Sequence, residues 1–260
     1  MSHTATVGPA VHVEPAMGTT VSFTVHDGCD PAIARQAIAE ACGELRAADE
    51  LFSTWKPWSP MSRLRRGAAR LDTFPDDVAA QLASVLALSW QVRQATDGWF
   101  DPWAIPGGVD PTGLAKGWAL ERAAAVLRRA GLLATVNGGG DIVTCGIPLE
   151  GPWRIGVRHP WRPGSLACVV TVSSPAQAVA TSGSYERGSH FVNPRTGART
   201  SGAVASATVV GADLAVADAL ATALAVGGGA ALDSMRLVGY EAYLVGHDGS
   251  EQSTDGFPFS

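Results

Sequence analysis

Residues 133–145 run Leu133-Ala134-Thr135-Val136-Asn137-Gly138-Gly139-Gly140-Asp141-Ile142-Val143-Thr144-Cys145. Two short apolar stretches flank three consecutive glycines, so the segment reads as two neighbouring strands joined by a tight turn that ends on Asp141. The bare backbone of the glycines equally suits a ligand that must come close, and both uses stay open here. The spacing is not G-x-G-x-x-G, and a strand rather than a helix follows, which argues against a dinucleotide-binding βαβ unit. Strands that neighbour one another through a hairpin set the class of this half of the chain.

Upstream of the hairpin the chain is mostly helical. A helix is predicted over Gly117–Ala130, stopping at Gly131 with Arg128 and Arg129 in its last turn, where the dipole favours cations. Another starts at Asp30, a capping residue followed by Pro31, and carries Ile33, Ile38, Ala41, Leu45 and Leu51 at helical spacing. A third is predicted over Pro75–Ala95, with Asp76 and Asp77 in its first turn and an apolar face of Val78, Leu82, Val85, Leu86, Leu88 and Trp90. Val21–Val25 alternates as an early strand, and Gly98–Gly113 is too rich in Gly and Pro for regular structure. Downstream, strands are expected at Trp153–Val157, Leu166–Val172, Ala178–Thr181, Ala205–Val210 and Glu241–Val245. A fourth helix, Asp213–Val226, is expected to end at Gly227-Gly228-Gly229, with a short helix over Ala230–Arg236. Helices first and neighbouring strands afterwards predict an α+β fold of largely antiparallel sheets with packed helices. No linker is visible, so residues 13–260 read as one compact unit preceded by a tail, residues 1–12.

Composition narrows the function. The 260 residues are 46% hydrophobic and 17% charged, enough for a core without covalent staples. Nineteen Lys and Arg against 24 Asp and Glu give a net charge of −5, which argues against a general nucleic-acid binder. Mean hydropathy is +0.12, yet no run of 18 apolar residues exists, so no membrane span is expected. Cys29, Cys42, Cys145 and Cys168 form no C-x-x-C pair and read as free thiols of a reducing compartment. Residues 1–16 lack the basic and apolar stretches of an export signal, and the expectation is a cytoplasmic, soluble chain.

Several groups of residues carry chemistry. Val109-Asp110-Pro111-Thr112-Gly113-Leu114-Ala115-Lys116-Gly117 brings glycines and a lysine to the predicted start of a helix, where backbone N–H groups receive anions; it does not have the P-loop spacing. Asp218 and Thr222, four apart within Ala, Leu and Val, share one helix face. Buried, such an Asp is costly unless a hard cation such as Mg²⁺ meets it, whereas on a solvated face it needs no partner. His190, in Ser189-His190-Phe191-Val192-Asn193-Pro194-Arg195-Thr196-Gly197, is of the type suited to proton transfer near neutral pH, although most single histidines are structural. Phe52-Ser53-Thr54-Trp55 and Trp99-Phe100-Asp101-Pro102-Trp103 supply aromatic rings for core packing or for stacking on a planar ligand.

In chain order these stretches resemble the ApbE family of FAD:protein FMN transferases. The likeness is carried by Met17-Gly18-Thr19, Phe52 to Trp55, Thr96-Asp97-Gly98-Trp99-Phe100-Asp101-Pro102, Val109 to Gly117, Val136 to Ile142, Ala180-Thr181-Ser182-Gly183, Ser189 to Gly197 and Ala217-Asp218-Ala219-Leu220-Ala221-Thr222. It implies a mixed α/β fold, FAD as donor, Mg²⁺ as metal, and a Ser or Thr hydroxyl of a target protein as acceptor. It further implies that Asp218, Thr222 and the Gly113 carbonyl hold the metal. Met17, Trp55, Trp99, Phe100, Asp101, Asp110, Lys116 and Val192 would contact FAD, and His190 would be the base. The chain departs from the family pattern in four places. Asn193 replaces the usual Asp, and the segment between Pro102 and Val109 is short. Arg65 and Arg66 stand where an Asn is expected, and Ala221 replaces a second carboxylate of some members, which favours one metal over two. A Mg²⁺-dependent FAD pyrophosphatase and a flavin-binding protein without turnover are the alternative functions.

Overall fold

The computed structural model describes residues 10–26, 28–184, 191–236 and 239–260. Its frame is one eight-stranded sheet in the order β1-β2-β3-β4-β7-β10-β11-β12, with every neighbouring pair antiparallel. The strands are β1 (Ala10–Ala16), β2 (Thr19–Val25), β3 (Ala134–Gly138), β4 (Asp141–Cys145), β7 (Ala178–Gly183), β10 (Ser206–Gly211), β11 (Glu241–Val245) and β12 (Glu251–Ser253). β5 (Trp153–Arg158) and β6 (Leu166–Val172) make a separate hairpin, and β8 (Phe191–Val192) pairs with β9 (Arg199–Thr200). The helices are α1 (Pro31–Phe52), α2 (Pro60–Arg65), α3 (Asp76–Ala95), α4 (Thr112–Arg129) and α5 (Leu214–Ser234).

Side-chain alternation explains the layering. In β7, Ala178 and Ala180 join the core beneath the helices while Val179 joins a second cluster; in β11, Leu244 goes one way, Tyr243 and Val245 the other. The first face is covered by α1, α4 and α5. The second is covered by the β5–β6 hairpin through Trp153, Ile155, Val157, Val170 and Val172. The architecture is therefore α+β with one large antiparallel sheet, as the hairpin at residues 133–145 predicts. That hairpin turns through Gly139 and Gly140, both at positive φ (65° and 98°), with Gly138 paired to Asp141. Two consecutive positive φ values fit the twist of a two-residue hairpin, and glycine takes them without strain.

Local signals account for most boundaries. Asp30 accepts a hydrogen bond from the Ala32 N–H at 2.7 Å and Pro31 opens α1. Asp213 likewise caps α5. Three elements differ from expectation. Helix α4 begins at Thr112 rather than Gly117, so Gly113 and Lys116 lie inside it; the Asp110 carboxylate receives the Thr112 N–H at 3.1 Å. Gly117 is a packing glycine and not a helix entry, because a Cβ there would lie 2.5 Å from the Leu214 carbonyl oxygen of α5. Beyond it, α5 is two helical stretches joined across a kink at Gly228 (φ 56°, ψ −138°), so the expected break at the glycine triplet is present, and the short stretch after it ends at Ser234 rather than Arg236. Finally, β1 takes in residues 10–12, assigned to the tail by the sequence pattern. By length and composition α5 is apolar enough to cross a bilayer, yet 78% of its apolar window is buried inside the protein, which makes it the central core helix.

Candidate active site

The close approach of α4 and α5 brings the chemistry together. With no side chain at Gly117, the first turn of α5 rests on α4. Lys116, one residue earlier, ion-pairs with Asp141 at the start of β4 and reaches Asp218 Oδ2 at 3.5 Å. Asp141 is 1% exposed, and its second oxygen accepts the Thr181 N–H of β7 at 2.9 Å. Asp218 is 4% exposed, and its Oδ2 has no hydrogen-bond partner among the described residues. One helical turn on, Thr222 Oγ1 lies 3.4 Å from Ser182 Oγ on β7. A Cβ on Gly113 would come within 3.6 Å of Thr222 Oγ1 and 3.3 Å of the Phe100 ring, so Gly113, Phe100 and Thr222 meet at one point.

With both carboxylates ionised around one ammonium, the largely buried site would carry a unit of negative charge. Burial pushes the Asp218 carboxyl up and the Asp141 charge adds to this, while Lys116 and the Gly117 N–H pull it back; the result is about 7. Burial alone would lower the Lys116 ammonium, but Asp141 and Asp218 overcome it and hold it above the usual lysine range. A buried carboxylate oxygen without a hydrogen bond, a hydroxyl one turn away and two carboxylates to one ammonium are the donor set of a hard divalent cation. Asp218, Thr222 and the Gly113 backbone therefore fit Mg²⁺.

The other expected ligand residues stand on several different elements. Met17 stands at positive φ (54°) in the β1–β2 turn, whose next residue but one, Thr19, abuts Gly139. Trp99 has the Arg195 guanidinium over its ring at 4.3 Å and packs on Gly227, leaving its Nε1 buried without a partner among the described residues. Asp101 pairs with Arg93 at 2.6 Å and Asp110 with Arg65, so both carboxylates are already neutralised. Val192 is half-buried in β8. Trp55 is 92% exposed and takes no part in the core. His190 lies outside the described residues. Asn193, at the position where the family pattern has Asp, closes its turn by accepting the Arg195 N–H at 2.9 Å.

Asp141 is the residue that motif spacing alone does not single out. Its signal is parity: in β4 it shares the helix-facing side with the buried Val143 and Cys145, so the alternation places a carboxylate in the core. Arg65 is a second such residue. It donates to the Gly107 and Pro106 carbonyls as well as pairing with Asp110, and so ties down the short segment after Pro102. His12, Glu14 and Cys42 also come together, on β1 and α1, but Arg46 pairs with Glu14 at 2.7 Å and burial raises the Cys42 thiol.

A sequence model of the ApbE family matches residues 17–107 and 105–244, nearly the whole described chain. The chain belongs to the ApbE family. A FAD:protein FMN transferase of Rhodobacter capsulatus is 39% identical over 129 residues, which are 46% of this chain and 24% of that protein. One of Klebsiella pneumoniae is 25% identical over 285 aligned positions, covering 85% of this chain and 80% of that protein. The chain thus spans most of the length of one such relative and about a quarter of the other. The structure of the flavin transferase ApbE of Vibrio cholerae superimposes with a TM-score of 0.80 at 22% identity, over 96% of this chain and 98% of that one. The ApbE protein of Thermotoga maritima gives 0.77 at 24%, over 95% and 97%. At such identities the likeness carries the fold, including the sheet on which Asp141 and Ser182 stand.

Proposed function

We propose that this ApbE-family chain transfers the FMN part of FAD to a Ser or Thr hydroxyl of an acceptor protein, in a Mg²⁺-dependent reaction. The observation that carries this is the buried Asp218 oxygen that makes no hydrogen bond among the described residues, with Thr222 and Gly113 close by, at the positions where the family pattern carries its metal ligands. Transfer across a pyrophosphate calls for neutralised charge, an in-line nucleophile and a stabilised leaving group. Mg²⁺ held by Asp218, Thr222 and the Gly113 carbonyl would supply Lewis-acid neutralisation of phosphate oxygens. Lys116, fixed by Asp141, adds a positive charge at the same place. The acceptor oxygen attacks the phosphorus on the FMN side, the bond to the AMP phosphate breaks, and the hydroxyl proton passes to His190 as the general base. Trp55, exposed and uncommitted to the core, offers a ring face to the flavin.

The test is to incubate the protein with FAD, Mg²⁺ and an acceptor peptide, then weigh the peptide and assay AMP. A peptide heavier by FMN less water, with equimolar AMP, supports the proposal. FMN and AMP released with the peptide unchanged points instead to a pyrophosphatase, and no AMP at all to a flavin carrier.

A further inference from the structure

Lys116 has two carboxylates within reach and lies in close contact with only one of them. Asp141 takes it: that carboxylate is pinned at its other oxygen by the Thr181 N–H and walled by the sheet, while Asp218 Oδ2 stands 3.5 Å from the ammonium without a hydrogen bond. Were Asp141 absent, the nearest anion for Lys116 would be Asp218, the oxygen on which the cation reading depends. We propose that Asp141 is a positioning residue that holds Lys116 off Asp218 and so keeps one Asp218 oxygen open for a divalent cation. This rests on the assignment of Asp218 and Thr222 as cation ligands. The β3–β4 hairpin then serves the site directly, because the Gly139-Gly140 turn starts β4 so that Asp141 faces the helices, opposite α4.

The experiment is Mn²⁺ binding to the FAD-free full-length chain, followed by electron paramagnetic resonance, with circular dichroism confirming the fold of each variant. Wild type should bind one Mn²⁺ that Asp218→Asn loses. Asp141→Asn should bind roughly tenfold to a hundredfold more weakly, the size of one charge-assisted hydrogen bond won by Lys116. Asp141→Glu keeps the charge but displaces the ammonium, and should weaken binding too. Asp141→Asn combined with Lys116→Met should return to within a few-fold of wild type, because no cation then competes. No binding by wild type, or undiminished binding by Asp218→Asn, overturns the cation assignment and this proposal with it. Loss in Asp218→Asn with wild-type affinity in Asp141→Asn overturns the positioning role alone. So does wild-type affinity in Asp141→Glu, which would leave only a charge effect, or failure of the double variant to recover, which would leave only a structural one.

Discussion

Gly117→Ala is a one-methyl change that bears on both the fold and the site. The added carbon would lie 2.5 Å from the Leu214 carbonyl oxygen and 2.7 Å from the Ala215 Cα. Both are backbone atoms, so no side-chain rotation relieves the clash, and α5 must retreat by about 1 Å to reach ordinary contact distance. Alanine recovers about 1 kcal/mol of helix propensity, whereas overpacking costs about 1–3 kcal/mol. With rigid backbone on the far side the upper figure applies, for a net loss of about 2 kcal/mol and a Tm lower by roughly 4–8 °C. Because Leu214 and Ala215 open the helix that carries Asp218 a turn later, Mn²⁺ affinity should fall as well. Thermal melts and a Mn²⁺ titration on the same preparation read both effects. A Tm at or above wild type with unchanged affinity would refute the reasoning that Gly117 sets the distance between α4 and Asp218.

Other outcomes follow from single residues. With its carboxyl pushed up to about 7, Asp218 stays protonated in the folded, cation-free chain at pH values where the unfolded chain has released that proton. Its contribution to stability is therefore full below about pH 4 and is lost as pH rises toward 7; Asp218→Asn should flatten that limb in a series of melts, and a parallel decline in the variant would assign it elsewhere. Trp55→Ala should leave Tm unchanged, since the ring is 92% exposed, yet weaken FAD binding roughly twofold to tenfold by fluorescence quenching; equal affinity removes Trp55 from the flavin site. His190→Ala should slow transfer by roughly 10²–10⁴ while FAD still binds, and a rate within about twofold of wild type would rule out the base role.

The fold is legible in the sequence wherever a local signal and the tertiary demand agree. Leu166–Val172 and Glu241–Val245 are strands with the expected limits: the first is a Val-rich run that pairs with β5, and the second is an apolar run buried at four of its five positions. Asp30 and Pro31 start α1 where capping chemistry says they should. The start of α4 is not legible, since glycines that serve close helix packing look the same as glycines that break a helix. Strand β1 escapes the pattern because, at the sheet edge, five of its seven residues are exposed and show no alternation of burial. At the site, the Asp218–Thr222 pair is visible from its four-residue spacing. The partnership of Lys116 with Asp141 is not, because 25 residues and the docking of α4 on the sheet separate them.

Under the proposed function, a divalent cation sits between α4 and α5 when FAD is bound. Anomalous diffraction at the manganese edge, from crystals grown with FAD and Mn²⁺, tests it directly. One strong peak is expected, bonded to an Asp218 carboxylate oxygen, Thr222 Oγ1 and the Gly113 carbonyl oxygen, with Lys116 still on Asp141. A peak held by other side chains, or FAD bound with Lys116 on Asp218 and no peak there, would contradict it.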